Sequence, residues 1–200
     1  AGRCAGHAAF MGGSRVVLAV ILELEAQGIP CLVSEHGFLG RELPKRLRNR
    51  LVPEEKSLQA VAACRVVLFG SSSTDPYALA LARRAQAEGL AVVHVLDSWS
   101  SYRKRLETDD GPMLVPDLYT VPDAYAAQGA QAEGLPGSCL SMAGQPALAG
   151  TAARLFPFTA AHRREAARRL KLPPDAHIVV FINEVYRSVF GCDTGAPGHP

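Results

Sequence analysis

Residues 91–105 read AVVHVLDSWSSYRKR. Ala91, Val92, Val93, Val95 and Leu96 form an apolar run around His94 without the in–out alternation of a half-solvated strand. That is the pattern of a strand covered on both faces of a parallel sheet. The run stops at Asp97 and gives way to a polar and aromatic turn, which holds the single Trp of the sequence, and then to a basic tail. In open α/β sheets, ligands bind beyond the carboxyl ends of the strands. Asp97, Ser98, Trp99, Tyr102 and Arg103 therefore stand where such a protein would do its work.

Working outward, three segments share one rhythm. Glu25-Ala26-Gln27-Gly28, Gln86-Ala87-Glu88-Gly89 and Gln131-Ala132-Glu133-Gly134 each close a helical pattern on a glycine that precedes a strand candidate. Glycine suits the left-handed residue that ends a helix. Three helix–Gly–strand units predict alternating βα architecture. The expected strands are Cys31–Ser34, Arg65–Gly70, the 91–96 run, Leu118–Val121 and Ser138–Met142. Helices are expected from Ser14 to about Gln27, over 54–63, after Asp75-Pro76, over 123–134 and over 162–172. A strand reading of 15–22 stays open. The stretch 146–161 reads as a linker.

Two hundred residues with 48% hydrophobic and 20% charged content describe an ordinary globular chain. A net charge of +2 gives no global attraction to nucleic acid. Five scattered cysteines without a C-x-x-C pair argue for reduced thiols, as in a cytoplasmic protein, and against a disulfide framework or a metal site. The longest apolar run, 16–22, is too short to span a bilayer. The opening AGRCAGHAAFMGGS reads as a Gly-rich loop whose first strand is missing. HIVVFINE, residues 177–184, reads as a strand leading into a tail of little folding content. The expected organisation is one domain over 1–148, a linker and helix over 149–176, and the start of a truncated second domain over 177–200.

The opening loop brings Gly12, Gly13 and Ser14 to a helix start, where free backbone N–H groups favour a phosphate. The spacing is neither G-x-G-x-x-G nor a P-loop, and a purely structural turn is the competing reading. His7 in that loop is a candidate general base, since its ordinary pKa suits neutral pH. Ser71, Ser72, Ser73 and Thr74 follow the 65–70 strand. Asp75 alone would explain the helix cap there, and the four hydroxyls add a candidate ligand surface on the same sheet edge as Asp97. In the central turn, Asp97 is a candidate base or hydroxyl anchor. Trp99 is a stacking face for a sugar, and Arg103 a clamp for an anion. The plainer reading packs Trp99 and Tyr102 under the loop. His36 is a second, weaker site candidate, and His94 reads as a core residue.

Lys45, Arg46, Arg48 and Arg50 alternate with Leu43, Leu47 and Leu51. Spacing of four puts those leucines on one helical stripe, able to rest on an anionic membrane or to pack on the domain. No aromatics interleave with the basic residues, so single-stranded nucleic acid is not an expected partner.

LDSWSSYRKR, LVPDLYTVPDAYAAQGAQAEGLP and MAGQPAL together resemble the amino-terminal half of bacterial glycosyltransferase-like proteins of the GT-B fold, including those linked to surface polysaccharides. More distantly, the chain is similar to UDP-N-acetylglucosamine 2-epimerases and lipid-A-disaccharide synthases. The resemblance covers roughly residues 6–185, and its specific part is 96–148. It implies a Rossmann-like α/β domain, a parallel sheet with helices on both faces. This domain would hold a sugar or lipid-linked acceptor, while a carboxy-terminal domain holds the nucleotide sugar. The nucleotide sugar is then a substrate, and no cofactor is implied. Asp97, Trp99, Tyr102 and Arg103 would lie near the cleft, with Gly12 and Gly13 at the first loop. Ser100-Ser101 stands where the pattern has Asn, and Gln145 replaces a commoner Asn. Two functions follow as expectations: the acceptor-side half of a glycosyltransferase-like or epimerase-like enzyme, inactive in isolation, or a non-catalytic sugar- or nucleotide-binding domain. The enzyme would work in the cytoplasm, with a place at the inner membrane face if the basic stripe binds lipid.

Overall fold

The structure is a computed structural model that describes residues 4–8, 11–70, 76–107, 111–173 and 176, with backbone alone before Arg15. Ser71–Thr74 and the 177–200 segment lie outside the described residues, as does most of the opening. The chain divides into two units, Ala1–Leu155 and Phe156–Pro200.

Among the described residues the first unit has seven strands: β1 (Cys4–Ala8), β2 (Cys31–Ser34), β3 (Leu51–Val52), β4 (Val66–Gly70), β5 (Ala91–Val95), β6 (Leu118–Val121) and β7 (Leu140–Met142). They form one sheet in the order β3-β2-β1-β4-β5-β6-β7, and every pair is parallel. Helices α1 (Met11–Ala26), α2 (Gly37–Glu42), α3 (Glu54–Ala60), α4 (Tyr77–Ala87), α5 (Ala124–Ala132) and α6 (Pro146–Leu155) fill the crossovers and close the unit.

Parallel strands buried on both faces need two cores, and both are present. Val16, Val17 and Ile21 of α1 pack with Val33, Leu39, Leu43, Leu47 and Val95 on one face. Val67, Phe69, Val92, Tyr119 and Val121 meet Ala78, Leu81, Ala82 and Ala85 of α4 and Ala126 and Ala130 of α5 on the other. Adjacent residues Leu68 and Phe69 of β4 join opposite cores, as the two-residue period of a strand requires. The three glycines of the repeat behave alike. Gly28, Gly89 and Gly134 have φ of 71°, 72° and 95° and end α1, α4 and α5 before a strand or the approach to one.

Several expectations change. The opening is not a loop lacking its strand, because residues 4–8 are β1, bonded to β2 and β4 on its two sides. The small residues Cys-Ala-Gly-His-Ala carry no apolar run, yet a central strand is held by two backbone ladders whatever its side chains. His7 is therefore a strand residue, in register with Phe69. Ser14 does not cap α1 but lies within its first turn, with Gly12 and Gly13. The basic stripe is a 3-10 turn over Lys45–Arg50, and Leu43 and Leu47 point into the core, with Leu51 half-buried. The presumed linker opens with helix α6, for which Pro146 is a suitable first residue.

In the second unit, α7 (Ala160–Arg169) starts from Thr159. Its hydroxyl accepts the His162 N–H at 3.3 Å, and His162 Nδ1 accepts the Thr159 N–H at 3.2 Å. Two orphan donors are thus satisfied reciprocally.

Candidate functional site

The connection from β1 leads to β2 on one side of the sheet, while the β4 crossover leads to β5 on the other. Chain paths diverging from adjacent strands leave a crevice at their carboxyl ends, the usual ligand position of open α/β sheets. Ala8 and Gly70 are register partners at this point. Gly12, Gly13 and Ser14 open α1 just beyond β1. Ser71–Thr74 follow Gly70 in the chain and lie outside the described residues.

One strand further along, the turn after β5 is organised by Arg105, which sequence reasoning passed over in favour of Arg103. Arg105 Nη1 pairs with Asp97 Oδ1 at 2.9 Å, and both side chains are largely buried, at 14% and 13% exposure. Nη2 donates to Ser98 Oγ at 2.7 Å, and Nε to the Ser100 carbonyl at 3.3 Å. Asp97 is thus engaged in holding the loop. Its main-chain carbonyl also accepts from Gln145 Nε2 at 3.5 Å, while Gln145 Oε1 takes the Leu148 N–H at the start of α6. Arg103 pairs with Glu107, and its N–H donates to Glu133 at 2.8 Å.

Just before the two arginines, Ser101 adopts left-handed backbone (φ 57°). Trp99 before it is exposed and Tyr102 after it is buried. Trp99 Nε1 donates to Asp123 Oδ2 at 2.8 Å, and Asp123 Oδ1 accepts the Ala126 N–H at 2.9 Å, capping α5. These two N–H groups, the backbone one foremost, hold the Asp123 carboxyl below its ordinary pKa. Tyr102 joins the core against α5, and burial raises its phenol pKa. Of the predicted residues, then, Asp97, Ser98 and Trp99 follow β5 at the carboxyl edge of the sheet, whereas Tyr102 packs inside.

His94 is a core residue, as its place in the run suggested. It stacks on Tyr119 at 4.4 Å and meets the Phe69 ring edge-on at 4.8 Å. Burial, with help from the Arg105 charge, lowers its pKa from 6.5 to about 3. Between those values the unfolded chain takes up a proton that the folded one refuses. Stability is therefore present at neutral pH and lost as pH falls through the window from 6.5 towards 3, by about 1.4 kcal/mol per pH unit from this residue. Urea unfolding between pH 7 and pH 4 checks it: His94→Phe is expected to flatten that slope, and an unchanged slope would clear His94 of the effect.

A second polar cluster lies at the end of β2. His36 Nδ1 bonds Glu54 Oε2 at 2.7 Å, and its ring stacks on Tyr77 at 4.1 Å. Ser34 Oγ lies 2.8 Å from Ser57 Oγ and 3.0 Å from Tyr77 Oη. These bonds tie α3 and α4 to the sheet. Arg41 and Arg48 border an open groove of about 440 Å³ with Glu35, Gly37, Gly40 and Leu51. Among the described residues no helix is long and apolar enough to cross a membrane, and no group of three His, Cys, Asp or Glu could hold a metal.

No protein-family model matches this sequence, and no curated protein matches it. Among solved structures the chain is similar to UDP-N-acetylglucosamine 2-epimerase from Rickettsia bellii, with a TM-score of 0.52 at 15% identity over 86% of this chain and 51% of that one. It is also similar to S. aureus MnaA in a co-structure with UDP, with a TM-score of 0.51 at 16% identity over 76% of this chain and 48% of that one. Its fold is the GT-B-like one of these epimerases. The chain spans about half the length of the structures it matches.

Arg105 and Asp123 were the residues sequence reasoning missed. Asp123 was legible as a helix cap, being polar before an Ala-rich run. Its hold on Trp99, 24 positions away, was not.

Proposed function

We propose that this chain is the acceptor-side, amino-terminal half of an enzyme that acts on a nucleotide sugar, by glycosyl transfer or by epimerisation. One observation carries the reading: an all-parallel sheet whose crossovers diverge between β1 and β4, with a helix start and a hydroxyl-rich segment following those two strands. The backbone N–H groups of Gly12, Gly13 and Ser14 would meet the diphosphate of a nucleotide sugar whose nucleoside the carboxy-terminal half would hold. Ser71–Thr74 would hydrogen-bond ribose or sugar hydroxyls. With Asp97 committed to Arg105, the general base falls to His7, one residue from the carboxyl end of β1. The acceptor is a free or lipid-linked saccharide of glycoconjugate synthesis. With Leu43 and Leu47 turned inward, any contact of Lys45, Arg46, Arg48 and Arg50 with an anionic membrane would rest on charge alone.

Calorimetric titration of the chain with UDP and with uridine tests this. The amide cradle predicts UDP binding at least about tenfold tighter than uridine, or 1.4 kcal/mol. No binding, or equal binding of the two, would overturn the diphosphate cradle. The Asp97–Arg105 pair favours a second reading, a binding domain without chemistry of its own. Incubation of UDP-N-acetylglucosamine with the protein carrying this chain, followed both for released UDP and for an epimerised UDP-sugar, separates the two: either product supports the enzyme, and binding without turnover the binding domain.

A further inference from the structure

We infer that Trp99, with Asp123 and Tyr125, forms a stacking platform for one neutral sugar ring at the carboxyl ends of β5 and β6. This deepens the proposed function by naming the acceptor's chemistry, and rests on that reading for the reaction it serves.

Trp99 leaves 42% of its surface in water, although folding ordinarily hides so large an apolar ring. The ring is also not loose. Its N–H is held by Asp123, and Asp123 is fixed in turn by the first turn of α5. An exposed aromatic immobilised in advance loses little conformational entropy when a ligand stacks on it. Tyr125, two residues beyond Asp123, is 72% exposed. Met142 at the end of β7, in register with Val121 of β6, is 67% exposed. Trp99 in the turn after β5, Tyr125 in the first turn of α5 after β6 and Met142 at the end of β7 thus all lie on the carboxyl side of the sheet, among polar atoms able to bond hydroxyls. Asp123 keeps lone pairs beyond its two bonds, and the Ser98 hydroxyl, whose oxygen accepts from Arg105, retains its own proton to donate.

An apolar face bordered by hydroxyl partners matches a pyranose, which has a C–H face and a hydroxyl rim. A nucleotide base would stack equally well. Its phosphates, however, would approach the Asp123 carboxylate, which the two N–H groups keep ionised. The platform therefore selects a neutral saccharide and leaves the nucleotide to the crevice beyond β1 and β4.

Trp99 is the sequence's one tryptophan, so intrinsic emission reports this site alone. Titration with chitobiose and with cellobiose is expected to give a saturable emission change in the millimolar range. Trp99→Ala should weaken binding by about tenfold or more, followed by saccharide-observed NMR, with unchanged circular dichroism. Trp99→Phe should restore most of the loss. UDP affinity should be the same in all three proteins. A flat response to both disaccharides while UDP still binds overturns the platform and leaves the proposed function standing. Loss of UDP binding with saccharide binding intact does the opposite. Emission that shifts on dilution alone, together with a dimer in sedimentation, would assign the patch to a second copy of the chain and overturn the inference.

Discussion

Asp97→Ala is expected to cost the folded state about 3 kcal/mol, because it takes from the largely buried Arg105 guanidinium the carboxylate that it pairs with at 2.9 Å. Removing one partner of such a pair does more harm than the pair does good, since the remaining charge keeps its desolvation cost and loses its paired carboxylate. The loop suffers as well. Arg105 gathers Asp97, Ser98 and the Ser100 carbonyl, so its release would free the whole turn that carries Trp99. Asp97→Asn, which still offers an acceptor oxygen, should recover a good part of the loss. Urea midpoints of the three proteins, followed by circular dichroism, decide it. If Asp97→Ala were as stable as the parent, the carboxylate would be spare for chemistry and its reading as a base would revive. Activity lost in this variant is informative only where the variant is shown to be folded.

A second large effect is expected at Gly129 in α5. A methyl group added there would lie 2.5 Å from Cε2 and 2.9 Å from Cζ and Oη of Tyr102. Tyr102 is buried among core residues and has nowhere to swing. Helix propensity alone would reward Gly129→Ala by about 1 kcal/mol. Overpacking against an immobile ring outweighs that, for a net loss of about 1–3 kcal/mol in chemical denaturation. Tyr102→Leu combined with Gly129→Ala should recover part of it, and additive losses would show that the two do not touch. Tyr102→Phe should cost little. The hydroxyl is buried without a hydrogen-bond partner among the described residues, so its removal sacrifices no bond.

The sheet was legible in the sequence because helix ends and buried strands follow local rules. The left-handed glycines at 28, 89 and 134 marked three returns to the sheet, and the apolar runs at 66–70 and 91–95 marked its centre. Strand β1 escaped notice because it is written in small residues, and its hydrogen bonds come from chain segments far away in sequence. The site was legible only as a location. The anion clamp was placed at Arg103, yet Arg105 meets Asp97. Which arginine turns inward depends on the path of the loop through Ser101, and residue spacing cannot supply that. The basic segment had left two readings open, a membrane-facing stripe or packing on the domain, and the leucines take the second, where they cover the outer strands of the sheet.

The two margins of that sheet are its shortest strands, two residues in β3 and three in β7. A long bare margin invites pairing with a neighbouring molecule and, at high concentration, fibrous aggregation. Here the unpaired backbone at either margin is too brief to template such growth. A parallel sheet, which gathers its strands from distant parts of the chain and so assembles slowly, gains most from this protection while it is still incomplete.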